Sequence, residues 1–215
     1  SDNHLNLTNN FLQEGLAYRI TPFNNAKLGR HIDTEKMYDN LMHKFKFGGI
    51  DAPGIYLDET VLRMCDTHRR LFVTLASQLI KEGKNDKALE VLDYCEKMIP
   101  SSNVRHDYLY SSSKEMADCY AKLGHPEKAE AIYDELANNA TEYAMWYLSL
   151  DDDRFASSSE NCMRNFYILD DVCKSLSELK TKDGKEVKSA LHYAQKFEQL
   201  YSVLEKRIGS NTPAQ

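Results

Sequence analysis

The run at residues 72–100, FVTLASQLIKEGKNDKALEVLDYCEKMIP, constrains this chain more than any other stretch, because its spacing recurs. Ala76, Leu79, Gly83, Ala88 and Leu92 are answered 41 residues later by Ala117, Tyr120, Gly124, Ala129 and Tyr133. Each copy reads as an amphipathic helix, a glycine and a second amphipathic helix. The glycine supplies the left-handed residue that ends a helix. The paired alanines let two helices cross closely, because a larger side chain would not fit between them. Two copies with matched offsets imply an antiparallel helical hairpin used twice.

The offsets resemble those of a tetratricopeptide repeat. Phe72 takes the tryptophan slot, Leu75 the leucine, Ala76 and Ala88 the small positions, and Pro100 the closing proline. The shift exceeds the usual repeat of about 34 residues by roughly seven. The surplus falls in SSNVRHDYLY, residues 101–110, whose polar turn residues predict a loop. The second copy has Thr141 where the closing proline would stand, and its helix is expected to run on. The predicted fold is all-α: a tetratricopeptide-like stack of antiparallel helix pairs, an α-α superhelix with an irregular N-terminal lead-in. The expected divisions are a lead-in at 1–33, a helical domain at 34–209 and a tail at 210–215. Repeats fall at about 69–100 and 110–141, with a capping hairpin at about 158–208.

Composition narrows the function classes. The net charge of −6 disfavours a nucleic-acid surface or docking on anionic lipid. No apolar stretch approaches the roughly 18 residues of a membrane span, and no signal peptide opens the chain. Five cysteines stand singly at 65, 95, 119, 162 and 173, with neither a disulfide framework nor zinc-ribbon spacing. They read as small buried hydrophobes.

Along the chain, residues 1–30 read as a lead-in with turns at Thr21-Pro22 and Asn24-Asn25, and residues 17–20 as a short extended piece. A short helix is predicted over 34 to about 45, capped by Asp33 or Thr34, with Met37, Leu41 and Phe45 on one face. FGGIDAPGIYLDE, residues 47–59, cannot be helical through its Gly-Gly and Pro-Gly pairs. Its Ile50, Ile55, Tyr56 and Leu57 are expected to pack on the first hairpin, and Asp58 to cap a long helix. That helix buries Val61, Cys65, Phe72, Leu75 and Leu79. Capping boxes are read at Ser112 with Glu115 and at Ser157 with Glu160, and Pro126 as the first residue of a helix. That helix keeps Ala129, Ile132, Tyr133, Leu136, Ala140, Tyr143 and Tyr147 on its apolar face. The next buries Phe166, Leu169, Val172, Cys173, Leu176 and Leu179. Asp183 with Glu186 opens a last helix carrying Val187, Ala190, Leu191, Ala194, Phe197, Tyr201, Leu204 and Ile208, stopped at Gly209.

No catalytic site, metal site or cofactor is expected. Cys65 and His68 lie three apart on one helix, but no second pair with ligand spacing accompanies them. Asp151, Asp152 and Asp153 read as a solvated turn. There is no phosphate loop and no nucleophile elbow. An enzymatic alternative would join the acidic turn near Asp152 to the aromatics around Trp146 as a sugar cleft. Repeat arrays bind partners on the face built from first helices. Here that face offers Arg70, Val73, Ser77, Lys81, Lys114, Asp118 and Lys122, of which Arg70, Ser77, Lys81, Lys114 and Asp118 are the candidate partner-binding residues. Repeats that clamp a C-terminal carboxylate use paired lysine and asparagine. Val73 and Ser77 occupy the corresponding first-copy positions, and the second copy offers Glu115, so that clamp is not assembled.

LAYRITPF at 16–23, and the run from FGGIDAPGIYLDE to Pro100, resemble the soluble C-terminal part of a family of large bacterial membrane proteins. The family's uncharacterised membrane domain is similar to transmembrane protein O-mannosyltransferases, and its soluble tail carries tetratricopeptide-like repeats. The resemblance covers residues 16 to about 150. It implies a non-catalytic accessory or partner-binding domain of a membrane glycosyltransferase-like protein, attached to the membrane on the periplasmic side. The implied partners are a protein or glycan-bearing ligand and the membrane domain of the same polypeptide, with no nucleic acid. No residue here matches the family's catalytic acids. The alternative is a free-standing cytosolic adaptor for protein–protein interaction.

Overall fold

The computed structural model describes residues 6–210; residues 1–5 of the expected lead-in and 211–215 of the expected tail lie outside them. Among the described residues the chain is helical apart from one small hairpin, in which β1 (Phe11–Gln13) pairs antiparallel with β2 (Tyr18–Ile20). The helices are α1 (Thr34–Asp39), α2 (Glu59–Lys81), α3 (Asn85–Met98), α4 (Ser113–Lys122), α5 (Pro126–Ser149), α6 (Asp152–Glu178) and α7 (Lys188–Ser210). The chain forms two compact units. One holds 6–105 and 109–113, the other 106–108 and 114–210.

In the N-terminal unit, Asn25 ties the lead-in together. Its buried side-chain amide donates to the Asn10 and Phe11 carbonyls and to Thr21 Oγ1 at 2.8–3.2 Å. Asp33 caps α1 by accepting from the Lys36 N–H, so the cap is Asp33 rather than Thr34. The predicted single helix over 34–45 is in fact α1 followed by a π-helical turn, Asn40–Lys44. Met37 and Leu41 are fully buried as expected, and Phe45 only half so.

Three residues separate α2 from α3, which turns the chain back so that the two helices pack together. Gly83 sits at φ 74°, the Gly83 N–H bonds to the Ile80 carbonyl and the Lys84 N–H reaches Leu79 O at 2.9 Å. This double bond closes the helix end that a β-carbon would strain. Ala76, Ala88, Leu79 and Leu92 are all buried. α1 lies across the hairpin's turn. Glu35 pairs with Lys84 and Lys87, and Tyr38 donates to Glu90 at 2.6 Å.

Two expectations for this unit need correction. Tyr56 is 92% exposed and packs on nothing, while Ile50, Ile55 and Leu57 are half-buried. The loop is anchored by Phe47, whose ring meets Phe72, His68 and Tyr94 within 6.3 Å. Val73, read as exposed, is buried on a helix that both α1 and α3 contact. Arg69 is also completely buried. Its guanidinium donates to the carbonyls of Ile99, Val104 and Arg105 at 2.8–3.1 Å, satisfying the end of α3 and the inserted loop together. Asn103 of the same loop donates to the Ile50 and Ala52 carbonyls.

The C-terminal unit repeats the glycine turn. Gly124 has φ 79°, its N–H bonds to the Ala121 carbonyl, and the His125 N–H reaches Tyr120 O at 2.9 Å. Pro126 opens α5, where its missing N–H costs nothing. Ser112, read as the start of a capping box with Glu115, stands just before α4 at φ 56°. α6 begins five residues ahead of the predicted Ser157 cap. Asp151 accepts from the Arg154 N–H, and Asp152 and Asp153 sit in the first turn, where a helix favours negative charge. Ser157 lies inside the helix and bonds to the Arg154 carbonyl. Arg207 of α7 donates to the Leu148 and Leu150 carbonyls at the α5–α6 turn and lies 4.2 Å over the Phe155 ring. Phe155, Cys162, Phe166, Ala144 and Leu204 form the core beside it.

α7 starts at Lys188 and not at Asp183, because residues 180–186 form a tight turn with Gly184 at φ 75°. Gly209 falls within α7. The helix meets α5 and α6 on one side only, so Val187, Tyr193 and Leu204 are buried while Leu191, Ala194 and Ile208 are exposed. Tyr143, expected on α5's apolar face, is exposed as well.

Candidate functional site

A concavity lies wholly among residues of the C-terminal unit. It is a cleft of about 710 Å³ bounded by one side of α4, the first two turns of α5, the end of α6 and the turn after it. Lys114, Asp118, Lys122, Tyr133, Lys180 and Lys182 are the lining residues that carry its chemistry.

The floor is a chain of polar contacts. Spacing of one helical turn sets Lys114 Nζ 3.1 Å from Asp118, and the same ammonium is 3.8 Å from Asp171 of α6. The Tyr133 hydroxyl donates to the other Asp118 oxygen through a short hydrogen bond. Tyr108 donates to Asp171 at 2.8 Å. Burial, reinforced by the hydrogen bond to a carboxylate, pushes both phenols well above the ordinary tyrosine range. For Lys114, burial works against the charge, but Asp118 and Asp171 outweigh it and hold the ammonium above its usual value. The floor is thus ionic, one ammonium held between two carboxylates that two phenols also bond.

The rim differs. Lys122 is exposed and has no ion-pair partner among the described residues. Lys180 and Lys182 reach only long, exposed pairs, 3.4 Å to Glu186 and 3.3 Å to Glu127. Exposed pairs of this kind contribute about 0–1 kcal/mol and exchange readily.

No protein-family model, curated protein or solved structure matches the chain.

The structure places Lys114 and Asp118 together in this cleft, half-buried and paired with each other rather than freely exposed. Arg70 and Lys81 are exposed and Ser77 half-buried on α2 of the N-terminal unit. Tyr133, Lys180 and Lys182 were not among the predicted binding residues. Tyr133 could have been found by setting the two copies side by side, since Val73, Ser77 and Leu92 become Lys114, Asp118 and Tyr133 at the 41-residue shift. Lys180 and Lys182 lie outside both copies, and only packing brings them there.

Among the described residues no group of three or more His, Cys, Asp or Glu is placed to hold a metal. His68 instead sets Nδ1 2.7 Å from the Met64 carbonyl and its ring against Phe45 and Phe47. Asp152 pairs with Arg207, and no described helix is long and apolar enough to cross a membrane.

Proposed function

We propose that this chain is a non-catalytic, tetratricopeptide-like helical-repeat domain that binds a protein partner, as the soluble accessory region of a bacterial membrane glycosyltransferase-like protein. The repeat reading is supported by two turns built alike at Gly83 and Gly124, with a buried alanine at the same offsets on either side of each. One observation carries the binding reading. At slots that the first copy gives to Val73, Ser77 and Leu92, the second places Lys114, Asp118 and Tyr133 around a cleft. Apolar residues at those slots would pack a hairpin equally well. A charged, hydrogen-bonded floor makes sense where something polar is to be received.

The native polypeptide gives the test. Apolar spans encoded upstream of Ser1 are expected, together with loss of the parent's glycosyl transfer when this domain is deleted. A deletion that leaves transfer intact would remove the accessory role. An initiator codon immediately upstream would favour the free-standing adaptor.

A further inference from the structure

Charge around the cleft decides what kind of partner fits. On the floor, Lys114 faces two carboxylates, Asp118 and Asp171, so it offers no free cation to a ligand. The rim supplies Lys122, Lys180 and Lys182 against Glu178 among the lining residues. A chain with a net charge of −6 thus concentrates exposed cations on one small edge. Each of them is unpaired or held in a long exposed pair that an incoming carboxylate can displace.

The rest of the lining argues for a peptide over a phosphate-rich ligand. Asp118, Glu178, Ser175 and Thr181 add carboxylate and hydroxyl oxygens among the lysines. Carboxylates repel dense phosphate charge, yet they accept the N–H groups of a peptide backbone, whose donors and acceptors alternate. Leu179, Ala121 and Pro126 give the backbone an apolar wall.

We infer that this cleft takes an acidic peptide segment of a partner protein, its carboxylates set against Lys122, Lys180 and Lys182 and its backbone bonded along Asp118, Ser175 and Thr181. The inference rests on the partner-binding reading and gives the partner its chemistry. Two of the three rim lysines come from the α6–α7 turn, outside either repeat copy. Specificity is therefore assigned to a part of the chain that the repeat pattern does not describe.

The test uses the whole chain and a fluorescein-labelled short poly-glutamate peptide, followed by anisotropy. Binding should weaken as salt rises. The exposed triple variant Lys122→Glu, Lys180→Glu, Lys182→Glu should keep the wild-type circular dichroism and lose at least about tenfold in affinity, the equivalent of about 1.4 kcal/mol. Charge reversal at the exposed Lys46 and Lys97, outside the cleft, should leave the affinity unchanged. Failure of poly-glutamate to bind, an unaffected triple variant, or equal competition by inorganic phosphate would each overturn the inference. The same triple variant in the native polypeptide separates the two claims. If poly-glutamate does not bind but the triple variant impairs the parent, partner binding stands and the acidic ligand falls; if deleting the domain changes nothing, the reading beneath it falls.

Discussion

In the first hairpin, the slots of Val73, Ser77 and Leu92 hold two buried apolar side chains and a half-buried serine. At the matching slots of the second hairpin, Lys114, Asp118 and Tyr133 form a hydrogen-bonded ionic floor under a cleft. The glycine turns are the same in both, down to the pair of backbone bonds that close each helix. A turn is set by backbone geometry, so it tolerates little change. The helix faces beside it can be apolar or polar while the alanines on either side of the turn stay buried. The N-terminal unit places its buried cation elsewhere, at Arg69, where it satisfies carbonyls of its own chain.

The largest effect should follow from that arginine. Arg69→Met strands three carbonyls and should cost on the order of 3 kcal/mol, about 1 for each. Lys114→Met, which leaves Asp118 its bond from Tyr133, should cost only about 1 kcal/mol. Urea unfolding of the two variants would break the comparison if Lys114 proved the costlier.

Ala88→Leu and Ala129→Leu should each lose about 1–3 kcal/mol by overpacking, and by similar amounts, since both alanines are fully buried after the same turn. A thermal midpoint that falls for one and not the other would show that the two crossings are not equivalent.

Tyr133→Phe should cost about 1 kcal/mol and show itself in pH dependence. Because the folded state holds the Tyr133 phenol above the ordinary value of about 10, its contribution is complete below that pH and is lost as pH rises beyond it. Tyr38 in the N-terminal unit, raised to about 12 by burial and by Glu90, behaves in the same direction. Wild type should therefore lose stability on going from neutral pH to above 10, and Tyr133→Phe should lose less. Equal losses would mean that the phenol ionises freely.

The smallest effect is expected at Tyr56. With its side chain in water, Tyr56→Ala should move stability by less than about 0.5 kcal/mol, whereas Phe47→Ala should cost several times more. A large loss at Tyr56 would restore the loop as the element covering the first hairpin.

Periodicity and punctuation determined the helices, because both are local. The sequence alone placed the two glycine turns, the Pro126 start of α5 and, apart from the half-buried Val61 and Cys173, the buried stripes of α2, α3 and α6, since a helix end or an apolar face is encoded within a few residues. It misplaced the start of α6, where two acceptable caps compete and Asp151 with two further aspartates suits the helix dipole better than Ser157. Tertiary structure decided the rest. Val73 is buried on a helix that both α1 and α3 contact, and Tyr56 stays in water although Phe47 and Asn103 anchor its loop. Arg69 looks like one more charge in a charged run, and only the fold brings it to carbonyls 30 to 36 residues away. The cleft is of the same kind. Lys114 and Asp118 were legible as a helical pair, but their meeting with Asp171, Tyr133 and the lysines of a distant turn depends on how α4, α5 and α6 pack, and no local pattern carries that information.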